Sequence, residues 1–178
     1  MNSRPNACRC DRNQVCRCPR PRSPKSCRCR PKFCCPCPPE LRGVTAQLRV
    51  ANEVYLEDGQ EVIFDIILRR NTRDITYNSN SGRFCLREGS TYLINWDVAV
   101  EGSYYRPFVR FSLIAGGNVI GSSTMPVTVG QLSGTSLLTV TNSPIELSLI
   151  NDTDDIVGLS GFTPVANITI TKVSNTFR

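Results

Sequence analysis

An antiparallel β-sandwich is the fold the sequence predicts for residues 44–178, and three observations predict it. Short runs rich in β-branched and aromatic residues recur along this stretch, separated by Gly, Pro, Asn, Asp and Ser. One run, Thr91–Glu101, alternates with a period of two: Tyr92, Ile94, Trp96, Val98 and Val100 share one face, and Asn95, Asp97 and Glu101 the other. No segment carries the apolar period of an amphipathic helix. Many short strands with turn residues between them make a sandwich or a barrel.

The elements follow in order. Glu61–Leu68 is nearly continuous apolar sequence broken by Asp65, the pattern of a strand covered on both sides. Thr91–Glu101 is the clearest strand, with Tyr92, Ile94 and Trp96 expected in the core. Val109, Phe111 and Leu113 alternate, and Gly116-Gly117-Asn118 then supplies a hairpin turn. Leu137–Thr141, Ile145–Ile150 and Val165–Val173 complete the series. Asn142-Ser143-Pro144, Asn151–Asp155 and Ser160-Gly161 punctuate it.

The segment from Phe64 through Ile75-Thr-Tyr77 and Gly82-Arg-Phe84-Cys-Leu86 to Gly89-Ser-Thr-Tyr92-Leu-Ile-Asn-Trp96 resembles the signature of the tumour necrosis factor/complement-q jelly roll. There an aromatic (Phe84) opens a strand, a glycine (Gly89) makes the next turn, and a tyrosine eight residues on (Tyr92) starts an alternating aromatic strand. Leu147–Val157 is similar to the penultimate strand and turn of the bacterial branch, the C-terminal domains of collagen-like spore-surface glycoproteins of the BclA type. The resemblance spans about residues 46–173. It implies an all-β jelly roll with Phe84, Tyr92, Ile94 and Trp96 in its core, and a homotrimer. Such relatives carry a Gly-X-Y stalk before the domain; Gly43 is the only glycine before Gly59 here, so no stalk-borne projection is expected.

Residues 1–43 are a different polymer. The first 42 residues hold eleven Lys/Arg against two Asp/Glu, a net +9, whereas the remainder is −3. They also hold eight of twelve prolines and nine of ten cysteines, with few large apolar residues beyond Val15, Phe33 and Leu41. Such a segment buries too little apolar surface to offset its chain entropy, so a disordered arm is expected. No apolar leader stands behind the basic N-terminus, and no run approaches a membrane span. Ordinary secretion and a membrane partner are therefore not expected, which sits awkwardly with so many cysteines.

Residue content also limits the chemistry. With no histidine, Ser-His-Asp and Cys-His activation are impossible, and only Lys25, Lys32 and Lys172 could serve as amine bases. No enzyme, catalytic residue or cofactor is expected. Asp152, Asp154 and Asp155 could gather calcium, but a solvated turn is the preferred reading, since a hard cation needs six to eight oxygens. The glycosylation triplets at Asn151 and Asn167 are read as chance. Cys85 lies between Phe84 and Leu86, so it should point away from their face as a quiet thiol.

The arm carries Cys8-Arg-Cys10, Cys16-Arg-Cys18 and Cys27-Arg-Cys29, then Cys34-Cys35-Pro-Cys37. In an extended chain, residues i and i+2 lie on one side with Cα atoms roughly 6–7 Å apart, at the limit for a disulfide. The two thiols of one Cys-Arg-Cys are thus steered to outside partners, and the arginine favours the reactive thiolate. Covalent anchoring is the preferred reading. A solvated tail, a site for zinc or another thiophilic metal, and a binder of anionic polymers stay open. A nucleic-acid partner is disfavoured because Phe33 is the arm's one aromatic. Together these features predict a structural assembly protein: a trimeric head tethered by disulfides to cysteine-rich proteins of an endospore's outer layer. Synthesis in the mother-cell cytoplasm, with oxidation after release, would reconcile the cysteines with the missing leader. The alternative is a soluble trimeric ligand- or receptor-binding module with a metal-binding tail.

Overall fold

The computed structural model describes residues 9–10, 16–17, 42–49, 54–70, 72–161 and 164–175. The chain divides into two units, Met1–Glu40 and Leu41–Arg178. In the first, β1 (Arg9–Cys10) pairs antiparallel with β2 (Cys16–Arg17), which sets Cys10 opposite Cys16 along the backbone. Cys8, Cys18, Cys27, Cys29, Cys34, Cys35 and Cys37, and with them the expected disordered arm, lie outside the described residues.

The second unit is all β. Its strands are β3 (Arg42–Leu48), β4 (Val54–Leu56), β5 (Ile66–Arg70), β6 (Ile75–Asn78), β7 (Arg83–Leu86), β8 (Ser90–Ser103) and β9 (Phe108–Ala115). They continue with β10 (Asn118–Pro126), β11 (Gly130–Val140), β12 (Ile145–Asn151), β13 (Val157–Leu159) and β14 (Ala166–Asn175). One sheet runs β10-β9-β12-β7-β6. The other is built on β8, which pairs with β11 along one edge and with β14, then β13, along the other; β3 and β5 lie beyond β14, and β4 beyond β13. Apart from the β6–β7 and β9–β10 hairpins, neighbours in each sheet come from distant parts of the sequence, the jelly-roll arrangement. The first sandwich strand starts at Arg42, opposite Lys172, two residues before the boundary that composition suggested.

The period-two pattern places the core. Phe84, Tyr92 and Ile94 are fully buried, and Trp96 is 3 % exposed. They pack with Phe64, Phe111, Leu113, Leu147, Leu149, Ile168 and Ile170 from both sheets. Burying a large apolar side chain contributes about 1.5–3 kcal/mol each, so this layer dominates the stability. Gly116 and Gly117, at φ +56° and +80°, form the two-residue turn between Ala115 and Asn118, whose left-handed backbone glycine accepts without strain.

Glu61–Leu68 departs from its expected form. Val62 and Phe64 point inward and Ile63 outward, and only Ile66–Arg70 joins a sheet, as its outermost strand, leaving Leu68 half exposed. A single apolar run here serves two roles: alternating entry to the core, then an edge strand. Backbone bonds to β12 hold the start of the first half, with Glu61 bridged to Ile150 and the Val62 N–H donating to the Leu149 carbonyl at 2.8 Å, and a side chain holds its end. The Tyr77 hydroxyl accepts from the Phe64 N–H at 2.7 Å and donates to the Phe64 carbonyl at 2.9 Å. Burial around this hydroxyl pushes its pKa above the ordinary tyrosine value.

Gly134 faces Trp96 across the β11–β8 ladder, and a Cβ there would fall 2.6 Å from two indole carbons. The indole is 3 % exposed and packed in the core, so a shift would disturb its neighbours. Gly134→Ala is therefore expected to cost about 1–3 kcal/mol through overpacking. The urea midpoint checks this; an unchanged midpoint would mean that the ring repacks freely.

Candidate functional surfaces

The outer face of the β8 sheet follows from the same alternation that fills the core. Side chains opposite the core set are polar over most of the face and hydrogen-bond to one another across strands. Gln47 Nε2 donates to Asn167 Oδ1 at 2.6 Å, and Asn167 Nδ2 donates to Asp97 Oδ2 at 2.9 Å. Gln131 Nε2 donates to the same Asp97 oxygen at 2.9 Å. Thr135 donates to Asn95 at 2.8 Å. The row crosses β3, β14, β8 and β11, beside a shallow groove of about 630 Å³ lined by Asn95, Asp97, Ser133 and Thr169. At the other end of the same face Leu137, largely exposed, stands opposite Leu93. This surface is broad, and many of its polar groups are already paired within the chain.

A second surface lies at one end of the sandwich, where three connections meet: residues 57–60, 103–107 and 151–156. The acidic turn organises it. Asp155 accepts from the Ser103 hydroxyl and from the backbone N–H groups of Tyr105, Arg106 and Ile156. These donors, the Ser103 hydroxyl first, lower its pKa to about 2. Asp152 accepts from Ser112 Oγ at 2.5 Å. Asp154, at φ +58°, ion-pairs with Arg106 at 3.4 Å and donates its N–H to Asp58. The three carboxylates thus face different partners, and none of them shares a cation-sized cage. Asp154 and Asp155 staple one connection to another and Asp152 ties the turn to β9, which presents Tyr104 and Tyr105 at the rim. Tyr55 on β4 completes a series, with ring centroids 6.1 Å from Tyr55 to Tyr104 and 6.2 Å from Tyr104 to Tyr105.

The glycosylation triplets have structural occupations. Asn151 is fully buried, with Nδ2 donating to the carbonyls of Leu56 and Asp155 and Oδ1 accepting from the Thr153 N–H. Asn167 belongs to the polar row. Neither amide is presented for a sugar in this fold. Cys85 is half-buried on the face of β7 opposite Phe84 and Leu86, and is a free thiol.

Beside β14, Lys172 Nζ lies 2.7 Å from Asp74 Oδ2, with side chains only 14 % and 22 % exposed. The hydrogen bond from Lys172 is the main reason that the Asp74 carboxyl sits below its ordinary pKa. A depressed folded-state pKa stabilises the fold above the unfolded value and is lost as pH falls through the folded one. Lys172→Met should thus cost about 1–3 kcal/mol at pH 7. The gap to the parent should close on acidification below about pH 4. Urea titrations at both pH values check this, and a pH-independent gap would contradict it.

Sequence reasoning singled out neither the tyrosine series nor the polar row. Tyr104-Tyr105 stands between Gly102-Ser103 and Arg106-Pro107, so two aromatics inside a turn were the available signal. The row needed strand register, which one sequence does not contain.

No protein-family profile matches the chain, and no curated protein matches it. Solved structures do. The chain is similar to the Eiger tumour necrosis factor of S. frugiperda, with a TM-score of 0.62 and 9 % identity over 78 % of this chain and 96 % of that one. It is similar to murine APRIL, with a TM-score of 0.55 and 8 % identity over 75 % of this chain and 100 % of that one. It is also similar to the globular domain of zebrafish complement 1qA, with a TM-score of 0.52 and 14 % identity over 76 % of this chain and 99 % of that one. At these identities the likeness is one of fold: the second unit is a jelly roll of the tumour necrosis factor/complement-q kind.

Proposed function

We propose that this protein is a non-catalytic assembly component whose jelly-roll head forms homotrimers and whose cysteine-rich N-terminal segment tethers the trimer covalently. The observation that carries this reading is the pairing, on one chain, of that fold with nine cysteines set mainly in Cys-Arg-Cys repeats. The β8 sheet face supports it physically. Side chains that hydrogen-bond within the face can be covered by another copy at little desolvation cost, because few donors are stripped of water without a partner. Leu93 and Leu137 add apolar area at one end. Within this reading, the tether joins cysteine-rich proteins of an endospore's outer layer, the exosporium or coat. Light scattering of the full chain in reductant tests the trimer, and a monomer at micromolar concentration refutes it. Immunogold labelling of spores tests the location, and label confined to the cell interior refutes that.

A second reading is favoured by the tyrosine end-surface: a soluble trimeric binding module with a thiophilic-metal tail. Zinc retained by reduced, purified protein would move the balance to it.

A further inference from the structure

The end-surface carries exposed aromatic rings beside carboxylates, a chemistry the polar row of the β8 face lacks. Tyr104 and Tyr105 are 62 % and 87 % exposed and Tyr55 is 48 % exposed, whereas Phe64, Phe84, Tyr92, Trp96 and Phe111 are buried in the core. The rings are tilted by 50° and 42° to one another, so they form an open trough and not a stack. Around them stand exposed carboxylates on Glu57, Asp58, Glu101 and Asp154, whereas Arg106, already paired with Asp154, is the cation of this rim. The rim is therefore net negative. Glu101 borders the trough across Gly158, where an added Cβ would lie 3.6 Å from the Tyr55 ring and 3.8 Å from the Glu101 Cβ, and one of its carboxylate oxygens accepts from the Gly161 N–H at 3.3 Å.

We propose that this trough is a docking site for an extended partner peptide carrying arginines at alternate positions. The spacing argues for it. Alternate residues of an extended chain lie about 6.4–6.8 Å apart, close to the 6.1 Å and 6.2 Å steps between ring centroids. A guanidinium lying on a tyrosine face is held by the ring quadrupole, and its planar fork still donates to a carboxylate at the edge. The acidic rim supplies those carboxylates and steers the encounter. Asp155 keeps the site in shape: its three hydrogen bonds from Ser103, Tyr105 and Arg106 fix residues 103–106, so the rings are presented with little ordering left to do on binding.

The test uses the full chain under reducing conditions and a synthetic heptapeptide, Ser-Ser-Arg-Ser-Arg-Pro-Lys, the pattern of this sequence at residues 26–32 with serine for Cys27 and Cys29. Binding is read by calorimetry and by chemical-shift changes. The expected result is saturable binding that weakens with salt. About a tenfold loss is expected for the Tyr104→Ala/Tyr105→Ala double variant, and a similar loss for a peptide with Gln at both Arg positions. The double variant must keep the parent's melting temperature, which its exposed loop position allows. If it does not, Glu101→Gln with Asp58→Asn serves instead, with loss of affinity expected and an unchanged affinity overturning the proposal. Equal affinity for the Gln peptide, shift changes away from Tyr55, Tyr104 and Tyr105, or no binding to the Arg peptide would each overturn it. So would a neutral oligosaccharide that occupies the trough when the Arg peptide does not.

Discussion

Ile94→Asp is expected to abolish folding of the head, whereas Asn95→Asp, one residue away, leaves it folded. Ile94 is fully buried on β8, the strand that pairs with β11, β13 and β14, so its side chain sits at the centre of the core. The cation nearby on the adjoining β14, Lys172, is already paired with Asp74 at 2.7 Å. A carboxylate at 94 must either ionise in an apolar interior or fold protonated, and both cost several kcal/mol on top of the lost apolar contacts. Net stabilities of domains are only about 5–15 kcal/mol, so the loss is decisive. Asn95 faces outward, beside Thr135. A carboxylate at 95 still accepts that hydroxyl, and its charge stays in water. Circular dichroism and soluble yield of the two variants check the contrast. If both unfold or both fold, the register of β8 is wrong by one residue.

That register was legible because β8 obeys one rule over its whole length. Its buried positions run Ser90, Tyr92, Ile94, Trp96, Val98, Val100, and the intervening residues face outward. The Phe84, Gly89, Tyr92 spacing was legible for a similar reason. Phe84 ends buried on β7, Gly89 takes φ +73° in the turn, and Tyr92 anchors that turn by donating to the Arg87 carbonyl at 3.0 Å. Strands with mixed duties were not legible. β10 reads Asn-Val-Ile-Gly-Ser-Ser-Thr-Met-Pro, with polar and apolar residues exposed on an edge, so no alternation marks it. β11 was read only from Leu137, because Gly130–Ser136 lacks the large β-formers, yet its whole length pairs with β8. Gly134 is small for the sake of Trp96, a neighbour that appears only once the ladder is drawn.

The surfaces were less legible than the core, and for a physical reason. Core positions answer to burial, which repeats with the strand period, whereas a surface is assembled from residues far apart in sequence. Gln47, Asp97, Gln131 and Asn167 come from four strands, and only pairing puts them in a row. The acidic turn shows the other side of this. Three nearby aspartates suggest a cation, but folding brings Ser103, Ser112 and Arg106 to meet them from elsewhere. The partners decided the role, and the local sequence did not contain them.

Full-length protein is expected to form reducible multimers larger than a trimer under oxidising conditions, with the trimer persisting when reductant is added. Two thiols on the same side of an extended Cys-Arg-Cys are poorly placed to bond to each other. The arginine between them raises the thiolate fraction and speeds exchange with outside disulfides. Nine cysteines per segment cannot all pair internally, so at least one seeks a partner. A trimer would bring three such segments together, and their effective concentration at any cysteine-rich surface would rise accordingly. Serine at Cys8, Cys10, Cys16, Cys18, Cys27, Cys29, Cys34, Cys35 and Cys37 should abolish the covalent multimers and leave the head's melting temperature unchanged, since among the described residues the core is built from the sandwich strands alone. Gln at Arg9, Arg17 and Arg28 should slow cross-linking without preventing it, because charge tunes the thiolate while geometry selects the partner. Non-reducing against reducing electrophoresis reads each case. Persistent cross-links in the serine variant would shift attention to Cys85, half-buried on β7. Oxidised wild-type protein that shows no covalent multimers would remove the tether from the proposal and leave the head as a soluble module.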